Sequence, residues 1–175
     1  MQKFDLIFKN EIVNWNYNNR SYNLKIGGLT DAFTDEGEYI CIENRTQKDE
    51  EQVQHYTYDG RLSFTYIVEQ GMIAWNNADK TIKIHVENFE DAQIYPNYNV
   101  IMVITDGRQN DRKLAIYSMG GQLICEHGQP EKYYSSSLIF GVNESPVIMY
   151  EGKHIFDWKY SINPITGELK KISRS

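Results

Sequence analysis

Residues 54–68 read QHYTYDGRLSFTYIV, and this stretch decides the fold class. Tyrosine, leucine and phenylalanine alternate there with polar residues at a period of two, which is typical of β-strands. The alternation is interrupted at Asp59 and Gly60. An Asp-Gly pair between two alternating runs indicates a β-hairpin and predicts a type I′ turn, in which both central residues have positive φ. We therefore expect two antiparallel strands with this pair at their tip.

The same pattern, two apolar runs around a turn, recurs along the chain. It is found in residues 13–24 around Asn18–Asn19, in residues 114–125 around Gly120–Gly121, and in residues 158–172 around a longer turn at 163–167. A further apolar strand precedes three of the four hairpins: Tyr39–Ile42, Val100–Ile104 and Pro146–Tyr150. Thr81–Val86 predicts an additional strand. The predicted repeating unit is strand, loop, strand, tight turn, strand.

The turn positions 19, 60, 121 and 167 are separated by 41, 61 and 46 residues. Periods of about 40 to 50 residues are typical of β-propeller blades and related β arrays. From Tyr39 to Ile172 the chain resembles β-propeller repeats of the WD-like kind, in which an inner strand, a loop and an aromatic residue followed by Asp-Gly or Gly-Gly recur in each blade. The Trp-Asp dipeptide of those repeats and its upstream Gly-His partner are missing.

This resemblance implies an all-β fold of antiparallel hairpin repeats. We expect a small or partial β-propeller-like array of about four blades, because 175 residues are too few for more. A twisted meander of several sheets that share one core is the alternative.

Length and composition favour one domain over residues 1–175. The two cysteines, Cys41 and Cys125, are far apart and are interpreted as small buried side chains rather than a disulfide. Charges at Asp5 and Glu11 leave no apolar export signal at the start of the chain. No run of about 18 apolar residues predicts a membrane span. The expected location is the cytoplasm.

Charge excludes one class of partner. The chain has 24 acidic and 18 basic residues, a net charge of -6, and its basic residues are scattered. A negatively charged surface repels phosphate backbones, so nucleic acid is not an expected partner. The acidic residues form three clusters: Asp31, Asp35, Glu36 and Glu38; Asp49, Glu50 and Glu51; Glu87, Glu90 and Asp91. They are interpreted either as solvated loops or as a docking face for a basic partner.

No motif in the sequence predicts catalysis, a metal site or a cofactor. Neither a nucleophile signature nor a metal-binding spacing connects the two cysteines and four histidines. Cys125 and His127 lie two apart on a predicted strand and therefore on one face. They would either touch a metal or activate a thiol, or be a core cysteine beside an exposed turn histidine. We expect no metal, no cofactor and a binding protein rather than an enzyme.

Tyrosine is abundant, with 13 residues, and several tyrosines fall in expected loops. They fit either ordinary packing on β faces or an interface. The leading hypothesis is a non-catalytic protein-interaction module that binds a basic protein partner through acidic and Tyr-rich loops. The expected binding residues are Glu36, Glu38, Glu50, Glu51, Tyr95, Tyr98, Tyr133 and Tyr134.

Two other hypotheses stay open at this point. The first is a small-molecule or carbohydrate binder, or a hydrolase, with a pocket at the centre of the β array and candidate carboxylates Asp59, Asp106 and Asp157. The second is self-assembly into a homo-oligomer, in which copies of the chain cover exposed strand edges.

Overall fold

The computed structural model of the chain describes residues 6–34, 39–105, 112–128, 135–140, 145–151 and 156–174. The described residues form seventeen strands and one short 3-10 helix, so the all-β prediction is confirmed. The strands are β1 (Leu6–Lys9), β2 (Ile12–Tyr17), β3 (Arg20–Lys25), β4 (Leu29–Thr34), β5 (Tyr39–Arg45), β6 (Glu51–Thr57), β7 (Leu62–Ile67), β8 (Met72–Asn77), β9 (Lys80–His85), β10 (Phe89–Tyr95), β11 (Val100–Thr105), β12 (Lys113–Ser118), β13 (Leu123–Gly128), β14 (Ser135–Phe140), β15 (Pro146–Glu151), β16 (Trp158–Ile162) and β17 (Leu169–Arg174); the 3-10 helix is Pro96–Tyr98.

Strands that follow one another in sequence are neighbours in four sheets. The sheets are β1–β3, β4–β9, β10–β13 and β14–β17, each in sequence order. The recorded strand pairs are antiparallel. Four consecutive antiparallel strands are the content of a propeller blade, and β10–β13 and β14–β17 have this content. The predicted antiparallel hairpin repeats are therefore present.

Internal contacts divide the chain into two compact units, residues 1–81 and 82–175. Each unit has a cluster of buried apolar side chains. In the first unit the cluster contains Val13, Trp15, Ala32, Ile40, Ile42 and Tyr56. In the second it contains Tyr95, Val100, Met102, Ile104, Leu114, Ile116, Leu138, Ile148, Tyr150 and Ile162. The expectation of one domain over residues 1–175 stays a prediction.

The turn at Asp59 and Gly60 differs from the predicted type I′ turn. Gly60 has a φ of 83°, but Asp59 is not among the described residues with positive φ. The amide of Gly60 donates to the carbonyl of Thr57 (2.8 Å), and the amide of Thr57 donates to the carbonyl of Arg61 (2.9 Å). This is a three-residue loop with a left-handed glycine, which needs only one residue of positive φ. A type I′ pair is found instead at Asn18 and Asn19, whose φ values are 50° and 60°.

Strands β2–β7 are repeated by β8–β13 at an offset of about 60 residues. Trp15 of β2 corresponds to Trp75 of β8, and both are buried. Irregular β4–β5 and β10–β11 pairing occurs at the equivalent places, Leu29/Asp31 and Phe89/Asp91. The Gly60 turn has its counterpart at Gly121, whose φ is 84°. We call β2–β7 the first half and β8–β13 the second half of this repeat. The two halves serve as an internal comparison, in which a difference marks a residue that the shared strand pattern does not require.

The predicted three-strand unit is too short. An additional strand, β4, β10 or β14, precedes each apolar strand and pairs with it. These strands carry Asp, Glu or Ser at several positions, so composition gives them little strand signal. Position 19 lies in the β2–β3 turn and position 60 in the β6–β7 turn. These are different turns of the same half, so the spacing of 41 residues between them is not a repeat length.

Candidate functional site

The expected binding residues do not form one surface in the described structure. Glu36, Glu38, Tyr133 and Tyr134 lie outside the described residues. Glu50 and Glu51 lie where the β5–β6 turn joins β6. Tyr98 is in the 3-10 helix after β10 and is 36% exposed.

The prediction that Tyr95 lies in a loop was wrong. Tyr95 is the last residue of β10, opposite Val100 of β11, and is only 1% exposed. Its ring packs in the core of the second unit, and its hydroxyl lies 3.0 Å from Oε1 of Gln93 and 3.2 Å from the carbonyl oxygen of Ile139. A tyrosine buried in this way stabilises the core and cannot contact a partner.

The β5–β6 turn holds Glu50 in place through a hydrogen-bond network. The backbone amide of Thr46 donates to the carbonyl of Glu50 (2.9 Å), and the amide of Glu50 donates to Oγ1 of Thr46 (3.2 Å). The Glu50 carboxylate accepts a hydrogen bond from Nε2 of Gln70 (2.8 Å). Glu50 is therefore fixed against the β7–β8 turn, and its neighbour Glu51 is the more exposed of the two.

Strand pairing gathers three carboxylates on one face of the sheet. Asp31 of β4 lies directly opposite Glu43 of β5, so their side chains project to the same side. Glu51 of β6 lies opposite Arg45, two residues along β5 from Glu43, and therefore shares that side. We call Asp31, Glu43 and Glu51 the acidic face.

Electrostatics at the acidic face are unfavourable to the fold. Burial and, after it, the carboxylates of Asp31 and Glu51 raise the pKa of Glu43 above its ordinary value. Like charges directly opposite one another on paired strands destabilise a sheet. The pairing of Asp31 with Glu43 thus opposes stability, which is the property expected of charges kept for an interaction.

The surroundings of the acidic face add one cation, one further carboxylate and one apolar side chain. Arg45 lies 3.8 Å from Glu69, and both side chains are about half exposed (48% and 44%). Glu69 also accepts a hydrogen bond from the backbone amide of Glu51 (2.8 Å). Phe33 of β4, opposite Cys41, is on the same side as Asp31 and is 42% exposed. An exposed aromatic ring beside unbalanced carboxylates is suited to a partner that is both basic and partly apolar.

A cysteine and a histidine that sequence reasoning could not bring together are neighbours. Cys41 and His55 lie opposite one another on β5 and β6, with Sγ 3.6 Å from Nδ1. They are 3% and 6% exposed, and the rings of Tyr39 and Phe64 pack edge-on against the imidazole. Burial lowers the pKa of His55 to about 4, so the ring is neutral at neutral pH. A pair closed off from solvent in this way has no access to a substrate and packs as part of the core.

The second cysteine–histidine pair shares a face, as the sequence predicts. A Cβ placed on Gly167, in the β16–β17 turn, would lie 2.4 Å from Sγ of Cys125 and 2.3 Å from Nε2 of His127. His127 is half-buried rather than exposed. Burial raises the pKa of the Cys125 thiol, which opposes thiolate formation. Within the described segments no third His, Cys, Asp or Glu joins either pair in a group able to hold a metal.

Sequence reasoning missed Glu43, the central member of the acidic face. It is a lone acidic residue in the apolar strand Tyr39–Arg45, outside the clusters that composition reveals. The signal that would have found it is the register of β4 against β5, which places it opposite Asp31. Register depends on the irregularity at Leu29/Asp31, and a one-residue slip would move Glu43 out of line with Asp31.

Comparisons with known proteins bear on the fold. No protein-family model matches the chain, and no curated protein matches its sequence. It is similar to the crystal structure of the eukaryotic initiation factor, with a TM-score of 0.52 and 11% identity over 96% of this chain and 52% of that one. It is also similar to the β-propeller domain of the Trilobed protease from Pyrococcus furiosus, with a TM-score of 0.45 and 13% identity over 97% of this chain and 57% of that one. The chain thus spans about half the length of each structure, and identities this low concern the fold alone.

Proposed function

We propose that the chain is a non-catalytic protein-interaction module whose acidic face binds a basic protein partner. The observation that carries the proposal is the alignment of Asp31, Glu43 and Glu51 on one side of paired strands, where their mutual repulsion opposes folding. Electrostatic complementarity of this kind guides encounter and selects partners by charge.

The second half of the repeat, β8–β13, supports this proposal because it lacks the excess of carboxylates found at the acidic face. The strand register places Ile104, 1% exposed, at the position of Glu43, and Arg112 at the position of Glu51. Arg112 lies 2.8 Å from Glu90, in an ion pair. The same strand pattern therefore forms with an apolar residue and a compensated charge, and the fold does not require a carboxylate at Glu43.

The decisive binding experiment compares two triple variants of equal net charge. D31N/E43Q/E51Q neutralises the acidic face, whereas D79N/E87Q/E168Q removes three exposed carboxylates elsewhere. A partner is captured with the unmodified chain and identified, and its dissociation constants for all three proteins are measured by calorimetry. We expect a basic partner, affinity that falls with added salt, and at least about tenfold weaker binding for the acidic-face variant alone.

Three results would contradict the proposal. The first is that the unmodified chain captures no protein other than its own copies. The second is that the two variants bind the identified partner equally, and the third is an affinity that does not change with salt. Circular dichroism of both variants shows that a loss of binding does not come from a loss of fold.

Removal of the Glu43 charge is expected to stabilise the protein. In E43Q the repulsion from Asp31 and Glu51 disappears while the side chain keeps its size, so the free energy of unfolding at pH 7 rises by a few tenths to about 1 kcal/mol. Urea denaturation measures the change, and E126Q, an exposed carboxylate beside Lys113, is the control. Lower stability of E43Q would show that the carboxylate supports the fold instead of opposing it.

The cytoplasmic location is part of the same proposal. Cys41 and Cys125 are not joined in a disulfide, which fits a reducing compartment. Within the described segments, no helix has the length and apolar character needed to cross a membrane.

A further inference from the structure

An open depression of about 510 Å³ lies at the other end of β6 from the acidic face. It is lined by Tyr17, Asn18, Thr57, Tyr58, Asp59 and Arg61, which come from the β2–β3 and β6–β7 turns. The rings of Tyr17 and Tyr58 have centroids 5.4 Å apart and are inclined by 41°, so two ring surfaces of different direction contribute to the wall. The volume is within the range of small-molecule sites.

The β6–β7 turn that lines the depression is held in place by contacts outside the lining. Nε1 of Trp15 donates to the carbonyl oxygen of Tyr58 (2.8 Å), and the Trp15 ring stacks on Tyr22 with centroids 5.3 Å apart. Gly60 lies on this stack so closely that a Cβ there would be 2.9 Å from the Tyr22 ring. The β6–β7 turn is therefore fixed to β2 and β3 before any ligand arrives, which lowers the entropy lost on binding.

The polar groups of the depression are also fixed. Asp59 accepts a hydrogen bond from the Thr57 hydroxyl and lies 2.9 Å from Nε of Arg61. The hydrogen bond from Thr57 and then that from Arg61 hold the pKa of Asp59 below its ordinary value, so the carboxylate stays ionised. An ion pair exposed to this degree contributes little to stability. The Asp59–Arg61 pair instead presents a hydrogen-bond acceptor and a donor side by side to a ligand.

The internal comparison separates the residues that form the turn from those that line the depression. Thr57 and Gly60 correspond to Ser118 and Gly121, and the turn hydrogen bonds are the same in both halves. Apart from Thr57, the lining residues of this turn are not shared. Tyr58, Asp59 and Arg61 are replaced in the second half by Met119, Gly120 and Gln122. The turn therefore forms without an aromatic ring or an ion pair.

We infer that this depression is a binding site for a neutral carbohydrate. The opposite charges of Asp59 and Arg61 compensate one another, so the lining favours a ligand without net charge. Hydroxyl groups both donate and accept, which matches a carboxylate beside a guanidinium and the amide of Asn18. The two tyrosine rings supply apolar surface for the C–H face of a sugar ring. This site is independent of the acidic face, and its test does not involve a basic partner.

The test is an amide NMR titration with four probes: the methyl glycosides of glucose, galactose, mannose and N-acetylglucosamine. We expect at least one probe to shift the amides of Tyr17, Asn18, Asp59 and Arg61. The variant Y58M/D59G/R61Q, which carries the turn sequence of the second half, is expected to lose these shifts and keep the rest of its spectrum. D79N/E87Q/E168Q is expected to bind as the unmodified chain does.

A second variant keeps the test decisive if the triple variant does not fold. The Arg61 side chain is 79% exposed, so R61Q replaces the charged guanidinium and its fork of donors by a shorter neutral amide without disturbing packing, and it is expected to weaken binding at least about threefold. Shifts from none of the four probes, shifts spread over the whole surface, or equal affinity of R61Q and the unmodified chain would each overturn the inference.

Discussion

The free energy of unfolding is expected to fall by about 3 kcal/mol between pH 6.5 and pH 4 because of His55 alone. The imidazole has an ordinary pKa of 6.5 when the chain is unfolded, and burial lowers its pKa to about 4 in the folded protein. Above pH 6.5 both states hold a neutral ring, and pH has no effect through this group. Between the two values only the unfolded state binds the proton, so acid favours unfolding by about 1.4 kcal/mol for each pH unit.

The variant H55I isolates this contribution. The equivalent position of the second half holds Ile116, which is fully buried, so the strand pattern accepts isoleucine there. Urea denaturation at several pH values is expected to show a shallower decline for H55I than for the unmodified chain between pH 6.5 and pH 4. Asp59, whose pKa is lowered, loses its stabilising effect only below its ordinary value of 3.8 and does not interfere.

Two measurements can contradict the prediction. An NMR titration of the His55 ring protons that gives a pKa near 6.5 in the folded protein would show that burial does not exclude the proton. Identical pH profiles for H55I and the unmodified chain would assign the acid sensitivity to other groups.

The hairpins were predictable because their signals are local. Alternation in 54–68 and the turn glycines specify which segments pair, and β6 with β7 confirms the strongest example. The turn type at Asp59 was not predictable in the same way. Two-residue and three-residue loops both accept Asp followed by Gly, and their difference is whether Thr57 pairs with Arg61 across the turn.

The candidate site depended on information that is not local. Glu43 joins the acidic face only because β4 pairs with β5 in one register, and His55 meets Cys41 through the register of β5 with β6. Tyr95 was assigned to a loop because it lies beside Pro96, but it is the last residue of β10 and pairs with Val100 of β11. Composition identifies charged and aromatic residues, but the choice between surface and core follows from strand pairing.

Gly28→Ala is expected to destabilise the protein by roughly 2–4 kcal/mol. Gly28 has a φ of 69°, which is unfavourable for a residue with a Cβ. A Cβ at this position would also lie 2.3 Å from the carbonyl oxygen of Arg45. That oxygen belongs to the backbone of β5, and the amide of Arg45 donates to the carbonyl of Gly28 (2.8 Å), so relief of the clash requires the β4–β5 pairing to move.

Two neighbouring substitutions test this reasoning by urea denaturation. A Cβ on Gly27 meets no atom within 4 Å, and G27A should therefore change the free energy of unfolding by less than about 0.5 kcal/mol. The second half has Asn88, with a φ of 54°, at the position of Gly28. Asparagine tolerates the left-handed conformation, but its Cβ meets the carbonyl oxygen of Arg45 as that of alanine does. The free energy of unfolding of G28N should therefore be about 1 kcal/mol higher than that of G28A. Equal stability of G27A and G28A would mean that β4 can shift away from Arg45, and the register that aligns Asp31 with Glu43 would then not be fixed by this turn.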